Sequence, residues 1–326
     1  MKLRYLGLAV LVCLLVSCDK SKNKDDGSGE VKVEKPAFSA DSAFTYVKDQ
    51  TDFGPRTPGS EAHSSCAAYL RAKLAEFCDT VIVQPFQTTT YDGKKWSAQN
   101  LIGSFALEKS KRVLLGAHWD SRPMADHDAD PAKRNQPIDG ANDGASGVGV
   151  LLEVARQLQQ KNPEIGVDII FFDMEDYGTP SSENIPGDWW CLGAQYWTNN
   201  LHRPDYHADF GILLDMVGGE NPTFFHEGFS SYYASNIVSK VWGMAYRLGY
   251  GNYFINQGAN PITDDHYYVL KNTGIRMIDI IHQDNKTGTG FGYVWHTTQD
   301  NISHIRKESL AAVGTTVLAV IYDEKE

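Results

Sequence analysis

The apolar run "VDIIFF" leads without interruption into Asp173, Glu175 and Asp176. Three carboxylates at the end of a segment that reads as a buried strand need something to face. Similar endings recur along the chain. "LLGAHWD" closes on His118 and Asp120, and "LLDMVG" carries Asp215. "TDDHYY" offers Asp264, Asp265 and His266, and "YVWHTTQD" presents His296. Asp143 stands in the Gly-rich turn "GANDGASG", just before a helical pattern. Alone it reads equally well as a helix N-cap, and a single histidine is more often structural than a ligand. Together, Asp, Asp or Glu and His from separate segments, with one open position, describe a catalytic zinc site. Magnesium is disfavoured because imidazole suits a transition metal. Calcium is disfavoured because "DHDADPAKRNQPIDG" misses the EF-hand spacing, and that segment reads as a solvated loop flanking the site. No GxGxxG and no Gly-Lys-Ser/Thr element marks a phosphate site. Adjacent residues at a strand end point in different directions. Of Glu175 and Asp176, one can therefore hold a cation while the other keeps a free lone pair for the substrate, as metal-assisted catalysis requires of its base. His118 and Asp120 share a strand face, so one can ligate and the other orient it. Asp173 reads as structural, an orienting partner or a helix cap.

The elements that must position these residues are visible in the hydrophobic pattern. "KRVLLGAHWD", "VDIIFFDMED", "FGILLDMVG" and "IRMIDIIH" are continuous apolar, β-branched runs, as in central strands buried on both faces. Between them, "GASGVGVLLEVARQLQQK" places Val148, Leu151, Leu152, Ala155 and Leu158 at helical spacing. "SSYYASNIVSKVWGMAYRLG" and "RKESLAAVGTTVLAVIYD" read likewise. "SAFTYVKDQ" and "EAHSSCAAYLRAKLAEF" predict two N-terminal helices, with "FGPRTPGS" turning between them. Alternating strands and helices predict an α/β fold with a largely parallel central sheet. Ligands of such folds bind beyond the carboxyl ends of the strands, which is where each of these runs turns polar.

The formal charge of −11, from 30 basic and 41 acidic residues, argues against nucleic acid as a partner. Lys2 and Arg4 precede an apolar run from Leu6 to Val16, then "LVSC": a secretory leader, shorter than the roughly 20 apolar residues of a bilayer span. "LVSC" resembles a bacterial lipobox. That implies a leader over residues 1–17, cleavage before Cys18 and lipid on its thiol. The mature protein is then expected in the bacterial cell envelope, periplasm-facing or at the cell surface, touching the membrane only through this anchor. Residues 18–36 are polar, charged and nearly free of large apolar side chains, so they read as a flexible tether. Its "KDD" resembles the acidic signals that route some lipoproteins to the surface. Residues 37–326 are expected to form a single catalytic domain, large enough to bury a sizeable core and monomeric. Apart from Cys13 and Cys18 the chain has Cys66, Cys78 and Cys191, which allow at most one internal disulfide and no CxxC metal pair.

The order and context of these motifs are more specific than any one of them. His-x-Asp, Asn-Asp-Gly-Ala-Ser-Gly, an adjacent acidic pair, Leu-Asp-Met, Asp-Asp-His and His-Thr-x-x-Asp resemble one clan: the zinc-dependent aminopeptidases and their glutaminyl cyclase relatives. The resemblance runs from about Phe53 to Ile305. It implies a three-layer α/β/α domain of the phosphorylase/hydrolase type. In the aminopeptidase branch, two zinc ions would fall on His118, Asp143 as the bridge, Asp176, Asp215 and His296, with Glu175 as base. In the cyclase branch, one Zn2+ would be held by Asp143, Asp176 and His296.

Three features favour the cyclase. "WHTTQDN" resembles the cyclase Trp-His-Thr-x-x-Asp-Asn, whose Trp lines the substrate pocket. Trp295, with Trp190 or Trp189 from "PGDWWCLG", is therefore expected to wall a narrow apolar pocket. Asp264 stands where the aminopeptidases usually carry Ser. In cyclases that Asp shares a hydrogen-bond network with the positions of Asp215 and Glu175. A long insertion separates "GAHWDSRP" from Asp143. One departure is Asp176, where animal cyclases carry Glu; the shorter side chain requires the metal or the strand end to shift slightly. The implied reaction converts the N-terminal Gln of peptides or secreted proteins to pyroglutamate and releases ammonia. In it zinc polarises the γ-carbonyl, Glu175 moves the proton, and Asp264 with Asp215 aligns the amine and leaving group. The alternatives are a two-zinc aminopeptidase and a non-enzymatic, peptide-binding surface lipoprotein. The last would have lost Glu175 or the ligands, and neither is lost.

Overall fold

The computed structural model describes residues 35–180 and 182–326. The expected leader, Cys18 and the tether up to residue 34 lie outside the described residues. In chain order the elements are α1 (Ala40–Thr51), α2 (Glu61–Phe77), β1 (Thr80–Thr89), β2 (Lys95–Phe105), β3 (Arg112–His118), α3 (Ala145–Gln160), β4 (Gly166–Phe172), α4 (Leu192–Asn199), β5 (Phe210–Asp215), β6 (Phe224–His226), α5 (Gly228–Arg247), β7 (Phe254–Gly258), α6 (Asp265–Thr273), β8 (Met277–Ile281) and α7 (Lys307–Asp323). Ser39 and Ser60 start α1 and α2 by accepting from the backbone N–H groups of Ser42 and His63.

Six strands form a mixed sheet in the order β1-β2-β4-β3-β5-β8. β4, β3, β5 and β8 are parallel, and β2 joins β4 antiparallel, with β1 antiparallel to it at the edge. The four parallel strands are the four apolar runs of the sequence. Their side chains alternate between two cores, as the two-residue period of a strand requires. Val113, Leu115, Ala117, Ile169, Phe171, Ile212, Leu214, Ile278 and Ile280 pack with α1, α2, α3, α5 and α7. Leu114, Ile170, Phe172, Leu213 and Met277 face the other way, against Ala194 and Trp197 of α4 and Tyr268 and Val269 of α6. The fold is therefore a three-layer α/β/α sandwich. Because the central strands are parallel, their carboxyl ends share one edge, and the segments after His118, Phe172, Asp215 and Ile281 all leave from it.

Candidate active site

Three side chains from three loops meet at that edge. Asp143 comes from the turn before α3, Asp176 lies four residues past β4, and His296 comes from the loop before α7. His296 Nε2 is 3.2 Å from Asp176 Oδ1 and 3.7 Å from Asp143 Oδ2. One donor atom from each lies within 4.8 Å of the others, and all three residues are buried. Asp176 Oδ2 is buried without a hydrogen-bond partner. Two carboxylates and one imidazole, with one carboxylate oxygen buried and unpartnered, fit a tetrahedral zinc ion that keeps an open position.

Each of these three candidate ligands is held by a further carboxylate. Asp120 accepts from the backbone N–H groups of Glu175 and Asp176, both at 3.1 Å. Asp300 does the same for Asn142 and Asp143, at 2.8 and 3.1 Å. Asp126 Oδ1 lies 3.3 Å from His296 Nδ1. Burial alone would raise the Asp126 carboxyl, but His296 and Arg122 beside it hold it well below the usual range. Arg122 is fully buried, grips both Asp126 oxygens at 2.7 and 2.9 Å, and reaches Asp176 Oδ1 at 3.3 Å. The expectation of a solvated loop over residues 126–140 is corrected here. Residues 131–137 are mostly exposed, but Asp126 and Asp128 turn inward. They do so because the loop closes over His296 and "TTQD": Asp128 accepts from the Thr298 hydroxyl at 2.6 Å, and His127 N–H donates to the His296 carbonyl.

His118 lies deeper, its Nε2 3.0 Å from Asp143 Oδ1 and 3.2 Å from Asp215 Oδ1. These three residues form a second group with donor atoms within 4.8 Å. Asp120 is 3.5 Å from His118 Nδ1, so it both faces that ring and holds the Glu175–Asp176 turn. The approach is close: a Cβ at Gly144 would meet His118 Nε2 at 2.4 Å. Asp143 is not the N-cap of α3; that position is Gly144, which makes no side-chain cap bond.

Beside the cation position opens a cavity of about 390 Å³. Glu175, Asp215 and Asp264 line it together with Asp143, Asp176 and His296, and Trp190, Trp295, Phe291 and Ile262 form its apolar sides. Trp295 stacks on His296 at 3.7 Å, and Trp190 runs parallel to the same ring at 6.2 Å. Gly178 lets Trp190 sit there, since a Cβ would fall 2.0 Å from its indole. Trp189 is not in the cavity; its ring N–H donates to the Pro186 carbonyl. Asp264 is also the N-cap of α6, its Oδ1 accepting from Asp265 N–H at 2.5 Å, while Oδ2 is buried and unpartnered. His266 does not reach the cavity but binds Glu227 at 3.0 Å in the core. Asp173 is structural, tied to His63 Nε2 and Gln99 N–H at 2.9 and 2.8 Å. Cys66, Cys78 and Cys191 are all free thiols.

Burial pushes the Glu175 carboxyl well above its usual range, with Asp264 and Asp176 adding to the rise against the opposing pull of His118. Asp215 rises to about 7, through burial and then Asp143. The backbone is strained at the same place. Of the seven non-glycine residues with positive φ among the described residues, four flank the site: Met174, Cys191, Met216 and His296. Such strain persists only where surrounding structure enforces it, and it gathers at functional sites.

Residues 100–321 match the sequence profile of peptidase family M28. The chain is 55% identical to a Zn-dependent exopeptidase from Parabacteroides distasonis of known structure, with a TM-score of 0.87 over 89% of this chain and 99% of that one. It is 54% identical to the glutaminyl cyclase of Tannerella forsythia, again with a TM-score of 0.87, over 89% and 100%. Aminopeptidase YwaD of Bacillus subtilis is 27% identical over 238 residues, 70% of this chain and 45% of that protein. The chain spans about half the length of the curated relatives it matches first. Similar solved structures bear the names of both activities, glutaminyl cyclases from Bacteroides thetaiotaomicron and Porphyromonas gingivalis at 52% and 49% identity among them. Sequence profile and fold agree that the chain belongs to peptidase family M28.

Proposed function

We propose that this protein is a zinc-dependent glutaminyl cyclase, converting the N-terminal Gln of peptides or secreted proteins to pyroglutamate. The observation that carries this reading is the facing pair Glu175 and Asp264. One oxygen of each lies within 4.8 Å of the other, and both residues line the cavity beside the cation position; Asp264 also lies within that distance of Asp279 and His266. A hydrolase needs one base to activate water. A second carboxylate opposite that base suits a substrate amine that must be held while it reacts.

Asp143, Asp176 and His296 are the proposed zinc ligands. Zinc bound there supplies a Lewis acid for the γ-carbonyl of the Gln side chain. The cavity side built by Trp190 and Trp295 holds that side chain folded back on its own amine, so positioning carries much of the rate. As the amine nitrogen bonds to the amide carbon, Glu175 takes a proton from it and returns one to the amide nitrogen. The carbon–nitrogen bond then breaks and ammonia leaves. A carboxyl raised toward neutrality suits both halves of that transfer. Asp264, with Asp215 nearby, orients the amine and the leaving group.

The second reading is a two-zinc aminopeptidase. It is favoured by one specific observation, the assembled group His118, Asp143 and Asp215, which would supply the second ion. Incubation with a Gln-initiated peptide, followed by mass spectrometry, tests both. Loss of ammonia with the chain otherwise intact supports the cyclase; release of free Gln overturns it. Lipid attachment through Cys18, with the tether and envelope location, belongs to the same proposal. It predicts that the expressed protein enters the detergent phase and that Cys18→Ser releases it.

A further inference from the structure

Cys191 has no place in the chemistry above, yet it touches that chemistry directly. It is the residue between Trp190, which walls the cavity, and the start of α4; it is fully buried and in left-handed backbone, φ +56°. Its Sγ lies 3.2 Å from Glu175 Oε1, placed to donate the S–H. Its backbone N–H donates to the Glu175 carbonyl at 3.0 Å, and the next N–H, of Leu192, to the Met174 carbonyl at 2.9 Å. One residue therefore grips Glu175 by side chain and by backbone. Asp264 completes the group: ligand atoms of Cys191, Glu175 and Asp264 lie within 4.8 Å of one another, and the buried Asp264 Oδ2 has no partner.

The residue type matters. Glu175 and Asp264 are two largely buried carboxyls lining one cavity, and both must stay available to a substrate amine. A Lys or Arg beside them would form an ion pair and occupy the lone pairs that the reaction needs. An apolar residue would leave Oε1 unpartnered and the Glu175 side chain free to rotate. A thiol is a weak, neutral donor: it orders one oxygen without adding charge. Burial keeps this thiol protonated, so it serves as a donor and not as a nucleophile.

We propose that Cys191 is a positioning residue for Glu175, its S–H fixing Oε1 so that Oε2 is presented to the reacting amine. The inference rests on Glu175 being the base, which the cyclase and aminopeptidase readings share.

The test compares Cys191→Ala, which removes the donor, with Cys191→Ser, which keeps one, in the zinc-loaded enzyme at matched metal content. The Ala variant should lose about three- to tenfold in kcat on a Gln-initiated peptide, with KM changed by no more than about twofold. The Ser variant should recover most of that loss. Undiminished kcat in the Ala variant, equal impairment of Ala and Ser, or a change confined to KM would each overturn the proposal. The infrared S–H stretch gives a readout independent of turnover. The wild-type minus Cys191→Ala difference should contain a band lowered by hydrogen bonding, and Glu175→Gln should shift that band upward, because an amide oxygen accepts more weakly than a carboxylate. A band indifferent to Glu175→Gln would also refute it. Should the wild type release free Gln, the cyclase reading falls, and the Ala-to-Ser comparison is then read on that hydrolysis.

Discussion

Asp126 offers the sharpest test of how the metal position is built. It faces His296 Nδ1 at 3.3 Å and holds Arg122 through both oxygens, and Arg122 in turn reaches Asp176. One carboxylate thus steadies two of the three proposed ligands. Asp126→Asn keeps the volume and one acceptor oxygen for Arg122 but removes the charge. Two effects then act in the same direction. The imidazole loses the partner that orients it and raises its basicity, a change that typically costs 10–100-fold in metal affinity, or about 1.4–2.7 kcal/mol. The buried Arg122 cation also loses its counter-charge beside the cation position, which adds repulsion. We predict weaker zinc binding by about 10–100-fold, measured by competition with a chromogenic chelator of known affinity. Turnover should return to within about threefold of wild type at saturating zinc, since Asp126 touches neither the base nor the substrate cavity. Asp130→Asn, in the exposed part of the same loop, should bind zinc as the wild type does. Unchanged zinc affinity in Asp126→Asn would refute the reasoning, and so would a loss of turnover that zinc cannot restore.

Three further outcomes follow from the same geometry. Glu175→Gln should cost at least about a hundredfold in turnover and leave zinc stoichiometry intact; loss of zinc instead would mean that Glu175 and Asp176 exchange roles. Asp264→Ser should lower kcat about ten- to a hundredfold at matched zinc, because its hydrogen bond forms with the reacting amine; undiminished cyclisation would remove the reason for preferring the cyclase. His202 predicts an acid-side loss of stability. Its Nδ1 accepts from the Trp197 indole N–H at 3.0 Å, and burial lowers its pKa from 6.5 to about 4. Between those values the unfolded chain binds the extra proton, so the contribution is complete above about pH 6.5 and is lost as pH falls toward 4. It amounts to about 2 kcal/mol at most between about pH 7.5 and pH 5. Urea unfolding of His202→Gln, which keeps an acceptor for Trp197, should show a correspondingly smaller pH dependence; an equal dependence would rule this account out.

The strands that carry the site are legible in the sequence because burial on both faces demands unbroken apolar runs, and β3, β4, β5 and β8 have them. β1 is missed for the opposite reason, and β2 because its buried half, "NLIGSF", is interrupted by Asn100, Gly103 and Ser104. β1 is a half-exposed edge strand, "TVIVQPFQTT", with Pro85 in it, and its pattern follows neither period cleanly. α4 and α6, of 8 and 9 residues, are too short for a helical period to stand out. The side chains that gather at the site are legible by type, since His, Asp and Glu at strand ends have few other reasons to be there. The groups that hold them are not. Asp126 sits in "DHDADPAKRNQ", whose composition is that of a surface loop, and only the tertiary closure over His296 turns it inward. Cys191 reads as a possible disulfide partner, and nothing local announces that it lies against Glu175.

What distinguishes this site from a merely acidic cleft is that its precision comes from clamps on the backbone. A strand end places a loop to within an ångström or so, and catalytic geometry needs better than that. Asp120 closes the gap for Glu175 and Asp176 by taking both of their N–H groups at once, and Asp300 does the same for Asn142 and Asp143. Each clamp fixes two consecutive peptide planes, and hence the direction of the side chains they carry, without touching those side chains. This arrangement also accounts for the left-handed residue at Met174; at Met216 the following N–H groups, of Val217 and Gly218, are taken instead by Ser146 Oγ and Asn142 Oδ1. Both methionines leave a strand end and must turn the chain at once, Met174 into the clamped pair and Met216 just past Asp215. The cost of such backbone at Met174, about 1–3 kcal/mol, is offset by the two charge-assisted bonds to Asp120, about 1.5–3 kcal/mol apiece. A clamp therefore cannot be neutralised without consequence. Asp120→Asn retains one acceptor for two N–H donors and must release Glu175 or Asp176. The proposed base and the proposed ligand are adjacent, so proton transfer and metal binding should weaken together, whereas Asp126→Asn should weaken metal binding alone.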